Sequence, residues 1–209
     1  MKRSRIIALL VAGIAVGLVA THAKPIGRRL YDAYLARFVY PKTDLAAALR
    51  AYRVAHPGAI EKRLVVDKSD SRLSVYANDA LLKTYAVLQG RVPEKDKEVE
   101  GDLATPEGEF YICRKNPTSA FHKFLLISYP SKEDAERGLR RNLITPGEYR
   151  RIIEANENRA APPQDTRLGS NIGIHGGACW TLGCISLTDE EIDELYGYVD
   201  TGTPVVIRK

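Results

Sequence analysis

The sequence predicts a mainly β domain with peripheral helices, of the α+β class, over residues 62–208. From residue 62 onwards, short apolar runs alternate with a period of two, which is typical of half-buried strands. Three helices with N-capping residues lie among these strands, and turns rich in Pro and Gly separate the elements. We further expect a signal peptide or membrane anchor over residues 1–23 and a helical spacer over residues 24–58.

The N-terminal segment combines a basic start with an uncharged apolar run. Lys2, Arg3 and Arg5 precede residues 6–20, which contain no charged or hydrogen-bonding side chain. This pattern is typical of a secretory signal that is cleaved after Ala23, or of a membrane anchor if it stays uncleaved. We therefore expect export to the periplasm or cell envelope, with the membrane as a partner of an uncleaved segment.

The positive charge of the chain is concentrated near its N-terminus. The formal net charge is +5, and residues 1–40 hold seven Lys/Arg against one Asp, a balance of +6. The other 169 residues carry 24 basic and 25 acidic side chains. A nucleic-acid-binding domain concentrates basic residues on its folded surface. The charge distribution therefore argues against a nucleic-acid partner.

Two amphipathic helices are predicted within residues 24–58. The first has apolar residues at helical spacing and ends at Pro41. The second begins after a cap at Thr43 or Asp44, and one face carries Leu45, Ala48, Leu49 and Tyr52. Two arrangements fit this pattern equally well: a spacer between membrane and domain, or two helices packed on the domain.

The elements of the domain follow in order along the chain. Strands are predicted at residues 64–66, 73–76, 84–88, 110–112, 124–128, 172–175, 183–187 and 204–207. Capping signals, in which Ser or Thr precedes an acidic residue by three positions, predict helices after Ser131, Thr145 and Thr188. The charge run at residues 94–98 is predicted to be a solvated loop.

The reactive residue types are densest in residues 174–187. His175 ends one predicted strand and Cys184 begins the next, and the loop of eight residues between them lets the strand ends lie side by side. A thiol nucleophile needs a base within hydrogen-bond reach, because the thiolate is the reactive form. It also needs backbone N–H groups aimed at the developing oxyanion, and Gly183 permits the turn that would expose them. The pattern predicts a cysteine nucleophile with a histidine base.

This segment resembles the L,D-transpeptidase catalytic domain (the YkuD-type family), whose members are bacterial cell-wall enzymes with a Cys-His site. The family motif has an early His-Gly, then Ser or Thr, any residue, Gly-Cys and a hydrophobic residue; here these are His175-Gly176 and Thr181-Leu182-Gly183-Cys184-Ile185. The resemblance covers roughly residues 62–208, with further matches at Gly101-Asp102, Thr105-Pro106-Glu107-Gly108 and Gly202-Thr203-Pro204-Val205. It implies a β-sandwich or barrel catalytic domain.

The resemblance also implies a mechanism. Cys184 would attack the carbonyl on the L-centre of diaminopimelate in a peptidoglycan stem peptide, and His175 would take the thiol proton. A backbone carbonyl at Gly176 or Gly177 would orient the histidine, and the N–H groups of Gly183 and Cys184 would form the oxyanion hole. The resemblance implies no metal and no cofactor. The residues expected to contact the substrate are Gly177, Trp180, Thr181 and Ser186.

Two positions depart from the family pattern. Leu182 stands where the family often has His, and Ser186 stands where it usually has Arg. The short spacing from His175 to Cys184 resembles a compact-loop subgroup. Replacing Arg by Ser removes a guanidinium that could hold a substrate carboxylate. These departures favour, as an alternative to a transpeptidase, a hydrolase of the same fold that cuts stem peptides or releases a wall-linked protein.

Non-catalytic explanations remain open at this stage. Cys184 could be a structural half-cystine bridged to Cys179 or Cys113, and a Cys113–Cys179 bridge would satisfy the odd number of cysteines. A zinc site formed by His175, Cys179 and Cys184 lacks an obvious fourth ligand. The domain could also be a wall-binding module that keeps the fold without the chemistry.

Overall fold

The computed structural model describes residues 40, 42–178 and 181–209. In this part of the chain, eight strands form one mixed sheet in the order β3-β2-β1-β8-β4-β5-β6-β7. The strands are Lys62–Asp67 (β1), Arg72–Ala77 (β2), Ala80–Ala86 (β3), Gly108–Ser119 (β4), His122–Ile127 (β5), Gly173–His175 (β6), Ile185–Ser186 (β7) and Pro204–Arg208 (β8). The helices are Leu45–Ala55 (α1), Lys132–Arg140 (α2), Pro146–Glu157 (α3) and Asp189–Tyr198 (α4). The predicted class, mainly β with peripheral helices, is confirmed.

Strand β4 joins the two halves of the curled sheet. Its first four residues, Gly108 to Tyr111, pair with β8, and from Ile112 onwards it pairs with β5. The β1–β8 and β6–β7 pairs are parallel, and the others are antiparallel. Apolar side chains from both halves and from α4 share one core, which includes Leu64, Ile112, Ile174 and Leu195. Burial of this core is the main favourable contribution to folding.

The helices of the domain begin where the capping signals predict. Ser131, Thr145 and Thr188 each accept a hydrogen bond from the backbone N–H three residues later, and each of these caps closes a complete capping box. Such a box satisfies donors that a helix start leaves unpaired, and a cap contributes about 1 kcal/mol. Helices α2 and α3 are inserted between β5 and β6 and share a small core of their own, formed by Ala135, Ile144, Ile152 and Leu168.

Helix α1 packs on the domain. Asp44 caps it by accepting from the N–H of Ala47 at 3.1 Å, and Leu45 belongs to the main core. The helix lies against α4 and β3. For this helix the structure shows the second of the two predicted arrangements. The first predicted helix and the segment over residues 1–23 lie outside the described residues, and the domain boundaries stay predictions.

Among the residues that the structure describes, no helix has the length and hydropathy needed to cross a membrane.

The charge run at residues 94–98 is a loop that is solvated only in part, with Glu94 and Lys95 exposed. Lys97 is only 2% exposed, and its ammonium group donates to the carbonyl of Val99 at 3.0 Å and pairs with Asp102 at 2.9 Å. Asp96 accepts from the N–H of Glu107 at 2.7 Å. The prediction was wrong for Asp96 and Lys97, which find their partners between Val99 and Glu107.

Candidate active site

The pairing of β6 with β7 defines the geometry of the site. The two strands run parallel, with Ile174 opposite Ile185 and His175 opposite Ser186. Ile174 and Ile185 belong to the main core, so His175 and Ser186 face the other side of the sheet. Cys184 immediately precedes β7, so the chain brings it next to the strand that pairs with the strand of His175.

The imidazole of His175 has a fixed orientation. Its Nδ1 lies 2.6 Å from the carbonyl oxygen of Gly176, and the side chain is 3% exposed. A carbonyl oxygen can only accept, so in the neutral ring Nδ1 carries the proton and Nε2 holds the free lone pair. The rings of Phe121 and Phe124 lie at centroid distances of 4.6 and 5.9 Å from the imidazole. Of the two carbonyls expected to orient the histidine, the structure places that of Gly176 against it.

Burial sets the protonation of this histidine. Removal from water lowers the pKa of His175 below its usual 6.5, and the hydrogen bond to Gly176 opposes this shift only in part. The ring is therefore neutral at pH 7. A neutral imidazole whose free lone pair is on Nε2 is the form that a general base requires.

The thiol of Cys184 contacts the segment that leads into β6. Its Sγ donates to the carbonyl oxygen of Asn171 at 3.3 Å. Asn171 has a φ of +52°, and its N–H donates to the side-chain oxygen of Gln164. Gln164 also donates to the carbonyl of Tyr129 at 3.2 Å, so this segment is anchored on the residues that precede α2. Sequence reasoning missed Asn171, because a backbone acceptor leaves no mark on the residue type.

The turn before Cys184 requires glycine. Gly183 has a φ of +144°, and a Cβ there would lie 2.7 Å from the carbonyl oxygen of Ala104. The hydroxyl of Thr181 donates to the carbonyl of Cys184 and accepts from the N–H of Gly183 at 3.2 Å. Thr181 is buried and shapes the loop. The N–H of Gly183 is thus engaged within the loop, and its role as an oxyanion donor stays a prediction.

The other residues expected to contact substrate occupy different environments. Ser186 is 1% exposed, and its backbone pairs with Leu88 through hydrogen bonds of 2.8 and 3.0 Å. Ser186 is thus buried in this structure, and contact of its side chain with substrate stays a prediction. Gly177 is exposed, and its N–H donates to Asp189 at 2.8 Å. Trp180 lies outside the described residues.

Two exposed apolar side chains lie beside the residues of the site. Leu182, beside Gly183, is 66% exposed, and Phe121, beside His175, is 48% exposed. Sequence reasoning missed Phe124, which lies opposite His175 in the pairing of β5 with β6, and Phe121, whose carbonyl accepts from the N–H of Gly176. It also missed Asp189, whose only signal was its place at the start of a predicted helix.

Cys113 lies away from this site and carries a free thiol. Its Sγ donates to the carbonyl of Leu126 at 3.4 Å, and burial raises its pKa to about 11. The bridge considered between Cys113 and Cys184 is not formed. Cys179 lies outside the described residues, so the half-cystine and zinc alternatives that involve it are not addressed.

A family profile identifies the domain. The profile of YkuD, the L,D-transpeptidase catalytic domain, matches residues 61–207. The chain belongs to this family. The match spans both strands of the site and nearly the whole domain predicted from the sequence.

Two solved structures are similar to this chain. Pgp2, the helical cell shape determining protein of Campylobacter jejuni, superposes with a TM-score of 0.52 at 23% identity over 72% of this chain and 48% of Pgp2. Bd1075 of Bdellovibrio bacteriovorus gives 0.47 at 19% identity over 71% of this chain and 48% of its own. This chain thus spans about half the length of these proteins. No curated protein sequence matches the chain.

Proposed function

We propose that this member of the L,D-transpeptidase family is an enzyme that modifies peptidoglycan stem peptides through a thioester on Cys184. The observation that carries the proposal is the hydrogen bond between Nδ1 of His175 and the carbonyl of Gly176 at 2.6 Å. It leaves Nε2 unprotonated in a residue whose strand pairs with the strand that Cys184 precedes.

The chemistry follows from these two side chains. Nε2 of His175 accepts the thiol proton as Sγ of Cys184 bonds to the carbonyl carbon of a stem-peptide amide. The intermediate breaks its C–N bond, and the imidazolium returns the proton to the leaving amine. An amine or a water molecule then attacks the thioester and gives its proton to Nε2. The thiolate leaves and regains a proton from the imidazolium.

Hydrolysis is the second candidate outcome of the thioester. The observation that favours it is the replacement of the family's usual Arg by Ser186, which is buried and offers no guanidinium to a substrate carboxylate. Water, as the acceptor of the acyl group, has no carboxylate that a guanidinium would need to hold. The hydrolase would cut stem peptides or release a wall-linked protein.

The proposed setting is the periplasm or cell envelope, where peptidoglycan is accessible. The basic and apolar pattern of residues 1–23 supports export, and an uncleaved segment would hold the enzyme at the membrane. The fold shared with Pgp2, which is named as a helical cell shape determining protein, supports a role in cell shape.

The test compares the full-length wild-type protein with Cys184→Ala and, as a matched control at a half-buried thiol, Cys113→Ala. Each is incubated with tetrapeptide muropeptides and with sacculi that carry attached protein, and the products are identified by mass. Cross-linked dimers or exchanged terminal residues indicate transfer. Shortened stems or released protein without cross-links indicate hydrolysis.

Both outcomes must disappear in Cys184→Ala and persist in Cys113→Ala. If wild type yields no product but sediments with sacculi, the protein is a wall-binding module and the proposal fails.

A further inference from the structure

The turn that follows His175 is held by contacts from three different elements. The N–H of Gly176 donates to the carbonyl of Phe121 at 3.1 Å, and the N–H of Ala178 donates to that of Leu187 at 2.7 Å. Between them, the N–H of Gly177 donates to the carboxylate of Asp189 at 2.8 Å. The middle contact is made by a side chain, while the acceptors on either side of it are backbone carbonyls.

The backbone of this turn adopts an unusual conformation. Gly177 has a φ of +88°, and Ala178 has a φ of +39° although it carries a side chain. A non-glycine residue in the left-handed region persists only where its surroundings hold it. The N–H that donates to Asp189 belongs to Gly177, the first of these two residues with positive φ.

Asp189 makes its contact from a rigid position. It is the first residue of α4, whose start is fixed by the capping box between Thr188 and Glu191. The approach is close, because a Cβ on Gly176 would lie 2.6 Å from the Asp189 carboxylate and 3.0 Å from the carbonyl of Phe121. The turn is therefore clamped between the end of the β4–β5 connection and the start of α4.

We propose that Asp189 is a positioning residue for the histidine base. By holding the N–H of Gly177, it fixes the peptide group between Gly176 and Gly177, which carries the carbonyl that binds Nδ1 of His175. Asp189 thereby sets the ring tautomer that leaves Nε2 able to accept a proton. The inference rests on the proposed function, in which His175 is the base for Cys184.

The experiment follows alkylation of Cys184 by iodoacetamide across pH, with the modified peptide quantified by mass. This reaction needs no peptidoglycan, so it reports on the pair of side chains separately from the enzyme's activity. In Asp189→Ala we expect Cys184 to react about tenfold more slowly at pH 7. We also expect its rate of alkylation to fall more gradually as the pH is lowered. In Asp189→Asn the amide oxygen still accepts from Gly177, and the rate stays within about threefold of wild type.

Glu190→Ala is the matched control. Glu190 lies in the same first turn of α4 and is exposed, so its removal changes the charge near the helix N-terminus by the same amount. It is expected to react like wild type. If Asp189→Ala does not fold, Asp189→Ser replaces it, because Ser is accepted at a helix start and is too short to reach Gly177.

The outcomes separate the two proposals. A wild-type rate and pH profile in Asp189→Ala overturns the positioning role, and so does Asp189→Asn behaving like Asp189→Ala, since charge would then be the cause. If His175→Ala alkylates as fast as wild type, the base role fails and the proposed mechanism fails with it. Slow reaction in both His175→Ala and Asp189→Ala, with recovery in Asp189→Asn, supports the inference.

Discussion

The side-chain carboxylate of Glu194 accepts a hydrogen bond from the backbone N–H of Leu45, which lies 149 residues earlier in the chain. The same carboxylate pairs with the ammonium group of Lys83 and accepts from the hydroxyl of Tyr85 at 2.8 Å. Leu45 begins α1, the other two partners lie on β3, and Glu194 lies on α4. One acidic side chain therefore ties the N-terminal helix to the domain.

Removal of this carboxylate is expected to destabilise the domain. Glu194→Ala leaves Lys83 and Tyr85 without their acceptor in a largely buried position, and unpaired polar groups there cost about 2–4 kcal/mol in total. Urea unfolding measures the loss as a lower midpoint. Glu190→Ala, an exposed acidic position on the same helix, should change stability by less than about 0.5 kcal/mol. Equal midpoints for the two variants would contradict the prediction.

In the pH–rate profile of Cys184 alkylation, the fall in rate towards low pH (the acid limb) is expected to be centred below pH 6.5. Burial lowers the pKa of His175, so its neutral form persists as the pH falls and is lost only below the usual histidine range. The rate of Cys184 alkylation should therefore stay high through pH 6.5 and decline at lower pH. An acid limb centred above 6.5 in wild type would be inconsistent with this account.

Removal of the Phe121 ring beside His175 is expected to shift the acid limb of this alkylation profile. Phe121→Ala admits water to the imidazole, which relieves desolvation and returns the pKa of His175 towards 6.5, so the acid limb shifts to higher pH. The measurement is the same alkylation profile. Leu81→Ala, which also removes an exposed apolar side chain but on β3, serves as the control and should leave the profile unchanged.

Gly183→Ala is expected to damage both stability and the reactivity of Cys184. A Cβ there would approach the Ala104 carbonyl to 2.7 Å with φ at +144°, so the turn must distort at a cost of about 2–4 kcal/mol. Thermal unfolding and Cys184 alkylation measure the two effects. Gly197→Ala is the matched control, because its Cβ would meet nothing within 4 Å in α4 and should stabilise by about 0.5–1 kcal/mol. A fully reactive, equally stable Gly183→Ala would be evidence against the turn geometry.

Cys113 is expected to be inert at neutral pH. With its pKa raised to about 11, roughly one molecule in a thousand carries the thiolate at pH 8. Brief alkylation at pH 8 followed by peptide mapping should find Cys184 modified and Cys113 intact. Rapid modification of Cys113 in the native protein would show that the thiol is not buried as described.

Much of the fold was accessible from the sequence because its signals are local. The starts of α2, α3 and α4 depend on hydrogen bonds that span three residues, from Ser131, Thr145 and Thr188. The turn at Asn78-Asp79 and the alternating strands have the same local character. The family could be recognised because its motif around Cys184 is contiguous in the chain.

Other features depend on contacts between residues distant in sequence, and only the tertiary structure decided them. Lys97 is buried against Gly169, where an added Cβ would lie 2.9 Å from the Lys97 Cε, and Arg137 donates to the Lys97 carbonyl at 2.9 Å. Ser186 is buried, and its backbone pairs with Leu88 from a distant part of the chain. A window of sequence shows the charge or the hydroxyl, but not the partner that removes it from water.

The sequence by itself determined which side chains carry the proposed chemistry, His175 and Cys184, and the positions of most elements that hold them. The tertiary structure decided how they are oriented: β6 runs parallel to β7, Gly176 binds Nδ1, and Asp189 holds the turn from another element. The physical reason is that residue types report local preferences and reactivity. Orientation arises from backbone hydrogen bonds and packing between elements, which any residue type can supply.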